Sequence, residues 1–196
     1  SHQAHSHLTR LDFAVGSAGL MRQVLTLALN HTTTRNAFGS SLAKRPMMAN
    51  GLADMAVEVE AATLMALRVA RATDHIDTNP QEKALARVAT PAAKYFNCSR
   101  VVAMANEALQ CHGGNGFVED HPMARLYREA PLNSVWEGAA NMMCMDVRRA
   151  MQQEANSRDA LFAELADVRG QDSRFDAYVT ALGPLLDEMQ HEEFFA

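Results

Sequence analysis

Three segments of this 196-residue chain combine residue types that can grip an anion, let a ligand reach the backbone, or move a proton. The first is Arg35-Asn36-Ala37-Phe38-Gly39-Ser40-Ser41-Leu42. A guanidinium beside a glycine turn can clamp a phosphate through its fork of N–H donors. The same residues also read as a surface arginine next to a helix-breaking Phe-Gly corner. The second is Gln110-Cys111-His112-Gly113-Gly114-Asn115-Gly116-Phe117. Its glycines free the backbone to approach a flat or charged ligand, and bare N–H groups can bind an anion. It does not follow the GxGxxG pattern, and a plain helix stop is the competing reading. The third is Ser134-Val135-Trp136-Glu137-Gly138, which sets the only tryptophan beside a carboxylate. A carboxylate kept from water by apolar neighbours works as a general base, whereas an exposed one serves as a helix cap.

Other reactive side chains have weaker arrangements. His2, His5 and His7 stand together at the start, but on a terminus too loose to build a metal site, so no metal is expected. His112 and His121 have no partner at ligand spacing, and no Ser-His-Asp set can be assembled. The twelve methionines fall mostly on helical core stripes and read as packing. Arg68, Arg71, Arg125, Arg128, Arg148 and Arg149 sit near Glu58, Glu60, Glu129 and Asp146, as on a solvated helix face.

The elements that carry these segments are helical. Leu11, Val15, Ala18, Val24 and Leu27 recur at helical spacing and predict a helix over Leu8–Thr34, in which Gly16 and Gly19 allow close approach by another helix or a ligand. Arg35 to Arg45 is a connection, and Pro46 suits the first turn of a second helix reaching about Thr73. Asp77-Thr78-Asn79-Pro80 is a turn and cap signal for a third helix over Gln81–Gln110, with Pro91 kinking it or removing a hydrogen bond. A loop over Cys111–Phe117, a short helix from Pro122 to Tyr127 and an irregular stretch over Pro131–Gly138 follow. A further helix runs from Ala139 to about Asn156, then two acidic helical pieces broken near Gly170. Long helices with short connections predict an all-α, antiparallel four-helix bundle with an additional helical tail.

Composition supports this reading. Ala, Leu and Met dominate the apolar residues, and Ile76 is the only isoleucine, which disfavours strands. Hydrophobic residues make up 48% and charged residues 21%, which excludes wholesale disorder. No apolar run approaches the roughly 18 residues of a membrane span. Cys98, Cys111 and Cys144 are odd in number and lack a CxxC pair, in keeping with a reducing, cytoplasmic setting. From Met151 onward three bases stand against ten acids, net −7, whereas the whole chain carries −5. This places a boundary near residue 150: a bundle over 1–150 and an acidic extension over 151–196, whose apolar end, Phe194-Phe195, suggests that the natural chain continues.

Taken in order, the R-x-x-F-G-x-x-L corner, the Q-x-x-G-G-x-G-F loop and the aromatic-Glu-Gly segment resemble the C-terminal helical domain of acyl-CoA dehydrogenases, from Leu8 to about Met151. The stretch His121-Pro-Met-Ala-Arg-Leu-Tyr-Arg-Glu-Ala, with Pro46 after the Phe-Gly corner, is similar to the adaptive alkylation-response branch related to isovaleryl-CoA dehydrogenase. In that branch a further helical region follows the bundle.

The resemblance implies an FAD enzyme that oxidises an acyl-CoA thioester between its α and β carbons. Glu137 falls at the position of the catalytic base, which takes the α-proton as hydride leaves for the flavin. Arg35 and Phe38 match residues that meet FAD, often from a neighbouring subunit, and Gln110, Gly113 and Gly114 match adenosine-side contacts. Asn141 stands at a cofactor-side position where glutamine is usual, Ala139 replaces a threonine, and Pro46 replaces a glutamine. Arg10, Trp136 and Gly138 fall on the substrate side, Arg10 matching an arginine that supports the region around the base. The implied partners are acyl-CoA, an acceptor such as electron-transfer flavoprotein, and further copies in a homodimer or homotetramer. The alkylation-response likeness also implies a DNA-protecting flavoprotein, with DNA bound through residues beyond Ala196; a pure oligomerisation bundle is the third alternative. In the family, a helical domain and a β-domain precede the bundle and enclose flavin and acyl chain, so these 196 residues alone are expected to bind FAD poorly and not to turn over.

Overall fold

The structure, a computed structural model, describes residues 2–191; Glu192, Glu193, Phe194 and Phe195 of the acidic tail lie outside them. Its long helices are α1 (His2–Thr34), α2 (Pro46–Asp74) and α3 (Pro80–His112), followed by α6 (Ala140–Gln153), α7 (Ala155–Ala166) and α8 (Ser173–His191). Between α3 and α6 lie two short helices, α4 (Gly114–Phe117) and α5 (Pro122–Glu129), and a 3₁₀ turn over Ala130–Ser134. The helix expected from Ala139 to Asn156 is interrupted at Glu154, where the backbone leaves the helical region and α7 starts afresh. The connection after α1 contains the only strands among the described residues, β1 (Asn36–Ala37) and β2 (Ser40–Ser41), a two-rung hairpin too short to alter the all-α class.

Local sequence explains the helix starts. Pro46 occupies the first turn of α2, where its missing N–H has no partner to lose. Asn79 caps α3: its side-chain oxygen accepts from the backbone N–H of Gln81 and Glu82. Pro91 lies buried inside α3 and withholds one helical hydrogen bond.

Two clusters show how the helices run. One end of the core joins Leu11, Ala14, Val69 and Ala93. Further along, Ala18 to Ala28 of α1 pack with Leu52 to Ala66 of α2 and Val101 to Cys111 of α3. Thus α1 and α3 run together and α2 runs against both. Fully buried alanines (Ala14, Ala28, Ala62, Ala72, Ala93, Ala105, Ala108) let these helices approach closely. Asn97, also fully buried, donates to the carbonyls of Ala14 and Ala62, tying three helices at one level. On the outer side of α3, Val88 packs with Ala150 and Met151 of α6, and with Leu161 and Leu186 of the acidic segment. Arg68 of α2 is forked between Glu82 and Glu164, which fastens α7 to the bundle. Gly16 and Gly19, expected to admit a close neighbour, face open space: among the described residues nothing lies within 4 Å of a Cβ placed there.

Candidate functional site

The segment before α6 folds into a turn of unusual backbone. Glu137 has φ 56° and Gly138 φ 104°, consecutive residues in the left-handed region. A side chain there costs about 1–2 kcal/mol, so the surrounding structure must hold it. Two cations do. The Nζ of Lys94, on α3, donates to the carbonyls of Trp136 at 2.8 Å and Gly138 at 2.5 Å. The Nε of Arg10, on α1, donates to the carbonyl of Glu137 at 3.3 Å. Trp136 stacks on Phe13 of α1, ring centres 4.8 Å apart. Gly138 is required sterically as well: a Cβ there would lie 2.7 Å from Cε of the buried Met143 and 3.3 Å from Cβ of Met142.

Behind this turn the charges are organised on one carboxylate. Asp146 of α6, buried, receives Arg10 at 2.6 Å and Arg87 at 3.0 Å, with Arg149 at 3.5 Å. Arg87 also reaches Glu154. His7, Arg10, Arg87, Thr90 and Asp146 line a cleft of about 260 Å³. Burial holds the His7 imidazole below its ordinary value, and the Arg87 and Arg10 charges push it further down. Lys94 is 1% exposed. Burial depresses its ammonium, Cys98 opposes this, Arg10 adds to it and Glu137 opposes it. Burial raises the Cys98 thiol, against its hydrogen bond with Ser17 and the charge of Lys94.

The other two segments meet at the far end of the bundle. Arg35 is exposed, and the hairpin after it turns at Phe38 (φ 54°) and Gly39 (φ 87°), leaving the Phe38 ring 88% exposed with Arg45 over its face. His31, one turn before Arg35, stacks on His112 at 4.7 Å. His112 leads directly into Gly113 and Gly114, which are exposed with open space over them, and Gln110 is exposed beside them. The expected loop over Cys111–Phe117 is shorter than its glycines suggest, because α3 runs to His112 and Gly114–Phe117 makes one helical turn. Gly116 serves packing: a Cβ there would lie 2.3 Å from the Leu109 carbonyl oxygen.

The ten residues singled out by type and resemblance therefore form two groups. Arg10, Trp136, Glu137 and Gly138, with Asn141 in the first turn of α6, share one end. Arg35, Phe38, Gln110, Gly113 and Gly114 share the other. Arg10 and His31 mark the two ends on α1, and 21 residues of helix at 1.5 Å each separate them by about 30 Å. The water-poor niche expected around Glu137 is not formed by the described residues: its side chain is exposed, because the turn lies on the rim of the bundle and the clamp beneath it holds only the backbone. Lys94, Phe13, Arg87 and Asp146 were not legible as part of this region. A lysine about four turns into an alanine-rich helix gives no sign in sequence of which carbonyls it will meet.

Of the arginines considered for nucleic acid, Arg68, Arg128 and Arg149 are paired with carboxylates. Cys98, Cys111 and Cys144 are free thiols. Among the described residues no group of three or more His, Cys, Asp and Glu side chains could hold a metal ion, and no helix is long and apolar enough to cross a membrane.

The fold is an up-down-up-down helical bundle with a strained Glu-Gly turn at one end and an Arg/Phe-Gly corner beside a glycine turn at the other. Residues 3–152 match the family of the acyl-CoA dehydrogenase C-terminal domain. The chain belongs to that family. AidB, a provisionally assigned acyl-CoA dehydrogenase of Escherichia coli (strain K12), is 41% identical over 175 residues, covering 89% of this chain and 32% of its own length. The Caenorhabditis elegans protein ACDH-11, solved in complex with C11-CoA, superposes with a TM-score of 0.81 at 28% identity, over 94% of this chain and 32% of that one. A glutaryl-CoA dehydrogenase from Mycobacterium smegmatis, solved in complex with FADH2, shares the fold, with a TM-score of 0.64 at 23% identity, over 74% of this chain and 36% of that one. The chain thus spans about a third of the length of these relatives.

Proposed function

We propose that this chain is the helical domain of an FAD-dependent acyl-CoA dehydrogenase in which Glu137 removes the α-proton of an acyl thioester. The observation that carries the reading is the Glu137-Gly138 turn. Its backbone is pinned from below by Lys94 and Arg10, so the carboxylate projects from the bundle rim rather than folding onto it. An exposed carboxylate becomes an effective base once substrate and covering protein surfaces dry it; the relatives are about three times longer than this chain and have further protein to supply those surfaces. Trp136, stacked on Phe13 and half exposed, offers an apolar wall beside the carboxylate.

FAD, when bound, supplies the acceptor for the hydride that leaves the β-carbon. The residues present fit such a group. Arg35 offers an exposed guanidinium fork to a phosphate at the protein surface, Phe38 an exposed ring, and Gly113-Gly114 open backbone, with Gln110 beside them. Asn141 lies at the opposite end, with Glu137. The separation of about 30 Å along α1 favours a shared arrangement: the Arg35–Gly114 end of one copy completes the cofactor site of a neighbouring copy, whose own Glu137 faces the substrate. On this reading the whole protein is a homodimer or homotetramer that passes electrons to an acceptor such as electron-transfer flavoprotein, and these 196 residues alone do not turn over. The free thiols suit a reducing cytoplasm.

In the whole protein, Glu137→Gln lowers acyl-CoA oxidation by about three orders of magnitude while FAD content stays at the parent level. A variant that oxidises acyl-CoA at the parent rate removes Glu137 from the chemistry.

A further inference from the structure

The backbone carbonyls of Trp136, Glu137 and Gly138 are all turned into the bundle onto cations. Lys94 takes the first and third, and Arg10 the second. Three consecutive inward carbonyls leave the Glu137 side chain no inward path. The ammonium responsible is buried at 1% exposure. A lysine is rarely taken so far from water without paired partners. None of the ion pairs found among the described residues involves Lys94; its partners are these two carbonyls.

We propose that Lys94 is a positioning residue for the Glu137 base: its buried ammonium bridges the carbonyls on either side of Glu137 and so fixes the strained turn that presents the carboxylate. The inference rests on the dehydrogenase reading for its catalytic consequence, but the clamp itself stands on geometry. Arg10 cannot replace it. Its Nε reaches only the Glu137 carbonyl, at 3.3 Å, and its NH1 is committed to Asp146 at 2.6 Å. Glu137 adopts φ 56°, a conformation that a free glutamate avoids, and Lys94 holds the carbonyls on both sides of it. The groups facing Lys94 are Cys98 on its own helix, Arg10 from α1 and Glu137 from the turn. Burial and Arg10 both favour loss of its proton, while Cys98 and Glu137 favour keeping it. A neutral amine would still donate, though more weakly than the ammonium.

Trp136, the only tryptophan, reports on the turn directly. In the full 196-residue chain, Lys94→Met keeps the length of the stem and removes the donors. Its Trp136 emission should shift to the red and acrylamide quenching should rise at least about twofold, with helix content by circular dichroism unchanged. Emission and quenching equal to the parent overturn the clamp. In the whole enzyme the same substitution should lower kcat by about 10–100-fold, as expected for a displaced reacting group, with KM within about threefold and FAD content unchanged. A loosened turn with unchanged kcat overturns the positioning role while leaving Glu137 as base. A parent enzyme that does not oxidise any acyl-CoA defeats the dehydrogenase reading, and the emission contrast still judges the clamp. Should Lys94→Met fail to fold, Lys94→Gln, whose shorter amide reaches at most one carbonyl, carries the same two readouts with the same deciding outcomes.

Discussion

Phe38-Gly39 and Glu137-Gly138 have the same backbone form and opposite origins. Phe38 and Glu137 are the two non-glycine residues with positive φ among the described residues, and each is followed by a glycine that is also positive. At Phe38 the cause is local. The pairing of Ala37 with Ser40 leaves a two-residue hairpin loop, and that loop needs both central residues in the left-handed region. The Leu42 N–H closes back on the Arg35 carbonyl at 3.0 Å, so the whole device spans eight residues. At Glu137 the groups that hold the turn's carbonyls come from far away in sequence. Its partners are Lys94, more than forty residues earlier, and Arg10, 127 residues away. The first turn keeps its shape wherever the hairpin forms. The second exists only while α1 and α3 are packed side by side, which couples the geometry of a proposed base to the integrity of the bundle.

The largest test of this contrast substitutes the two glycines. Gly138→Ala meets positive φ and steric conflict together, since the new Cβ would sit 2.7 Å from the fully buried Met143. It should lower stability by about 2–3 kcal/mol. Gly39→Ala meets positive φ alone, with nothing within 4 Å, and should cost about 1 kcal/mol. Denaturant unfolding measures both, the comparison being valid where the slope is unchanged. Equal losses would mean that packing around Gly138 yields freely and that the turn is as local as the hairpin.

A smaller effect sharpens the other side. Phe38 stands where such hairpins prefer asparagine, and its ring is 88% exposed. Phe38→Asn should raise stability by about 0.5 kcal/mol and, in the whole protein, weaken FAD retention. Higher stability with weaker retention shows that the ring serves a ligand at a cost to the fold. Unchanged retention removes Phe38 from the cofactor surface.

The legibility of these two regions in the sequence differs for the same reason. Helices α1 to α3 were readable because their apolar positions repeat at helical spacing and Pro46 and Asn79 mark starts. The Phe-Gly corner was readable as a turn because its chemistry is contained within eight residues. The Trp136-Glu137-Gly138 segment was readable as unusual, but the dry surroundings expected for Glu137 were not found, since burial depends on surfaces that no local pattern records. Lys94 was invisible. In sequence it is one charged residue on a helix, and only the docking of α1, α3 and the turn gives it carbonyls to hold. Gly116 shows the converse: three similar glycines look alike in sequence, yet a Cβ would collide with backbone at Gly116 and meet open space at Gly113 and Gly114.

Histidines at the two ends extend the comparison to pH. His7 lines the cleft beside Arg10 and Asp146, with its ring near the hydroxyls of Thr73 and Thr90, and His31 stacks on His112 at the Arg35 end. Both lie below the ordinary histidine value of 6.5, first because of burial; Arg87 and Arg10 add to this at His7, and His112, Arg35 and His121 at His31. A base with a lowered folded value binds its proton less readily than in the unfolded chain. Above about pH 6.5 both states are neutral there and nothing is lost. As pH falls through 6.5 toward the lowered folded values, the unfolded state gains protons first and stability declines. The denaturation midpoint should therefore be lower at pH 5.5 than at pH 7.5. The carboxylates held low by their partners, Glu82 and Asp172, act in a more acidic range than this window. His7→Gln and His31→Gln should each remove part of the decline. Only the first should also remove an acid-induced change in Trp136 emission, because His7 shares Arg10 and Asp146 with the Glu137 turn and His31 stands about 30 Å away. A midpoint that is flat or rises toward pH 5.5 contradicts the burial of both rings. An emission change abolished by His31→Gln instead would show that the two ends communicate, and that the turn at Glu137 is held by more than the cations directly beneath it.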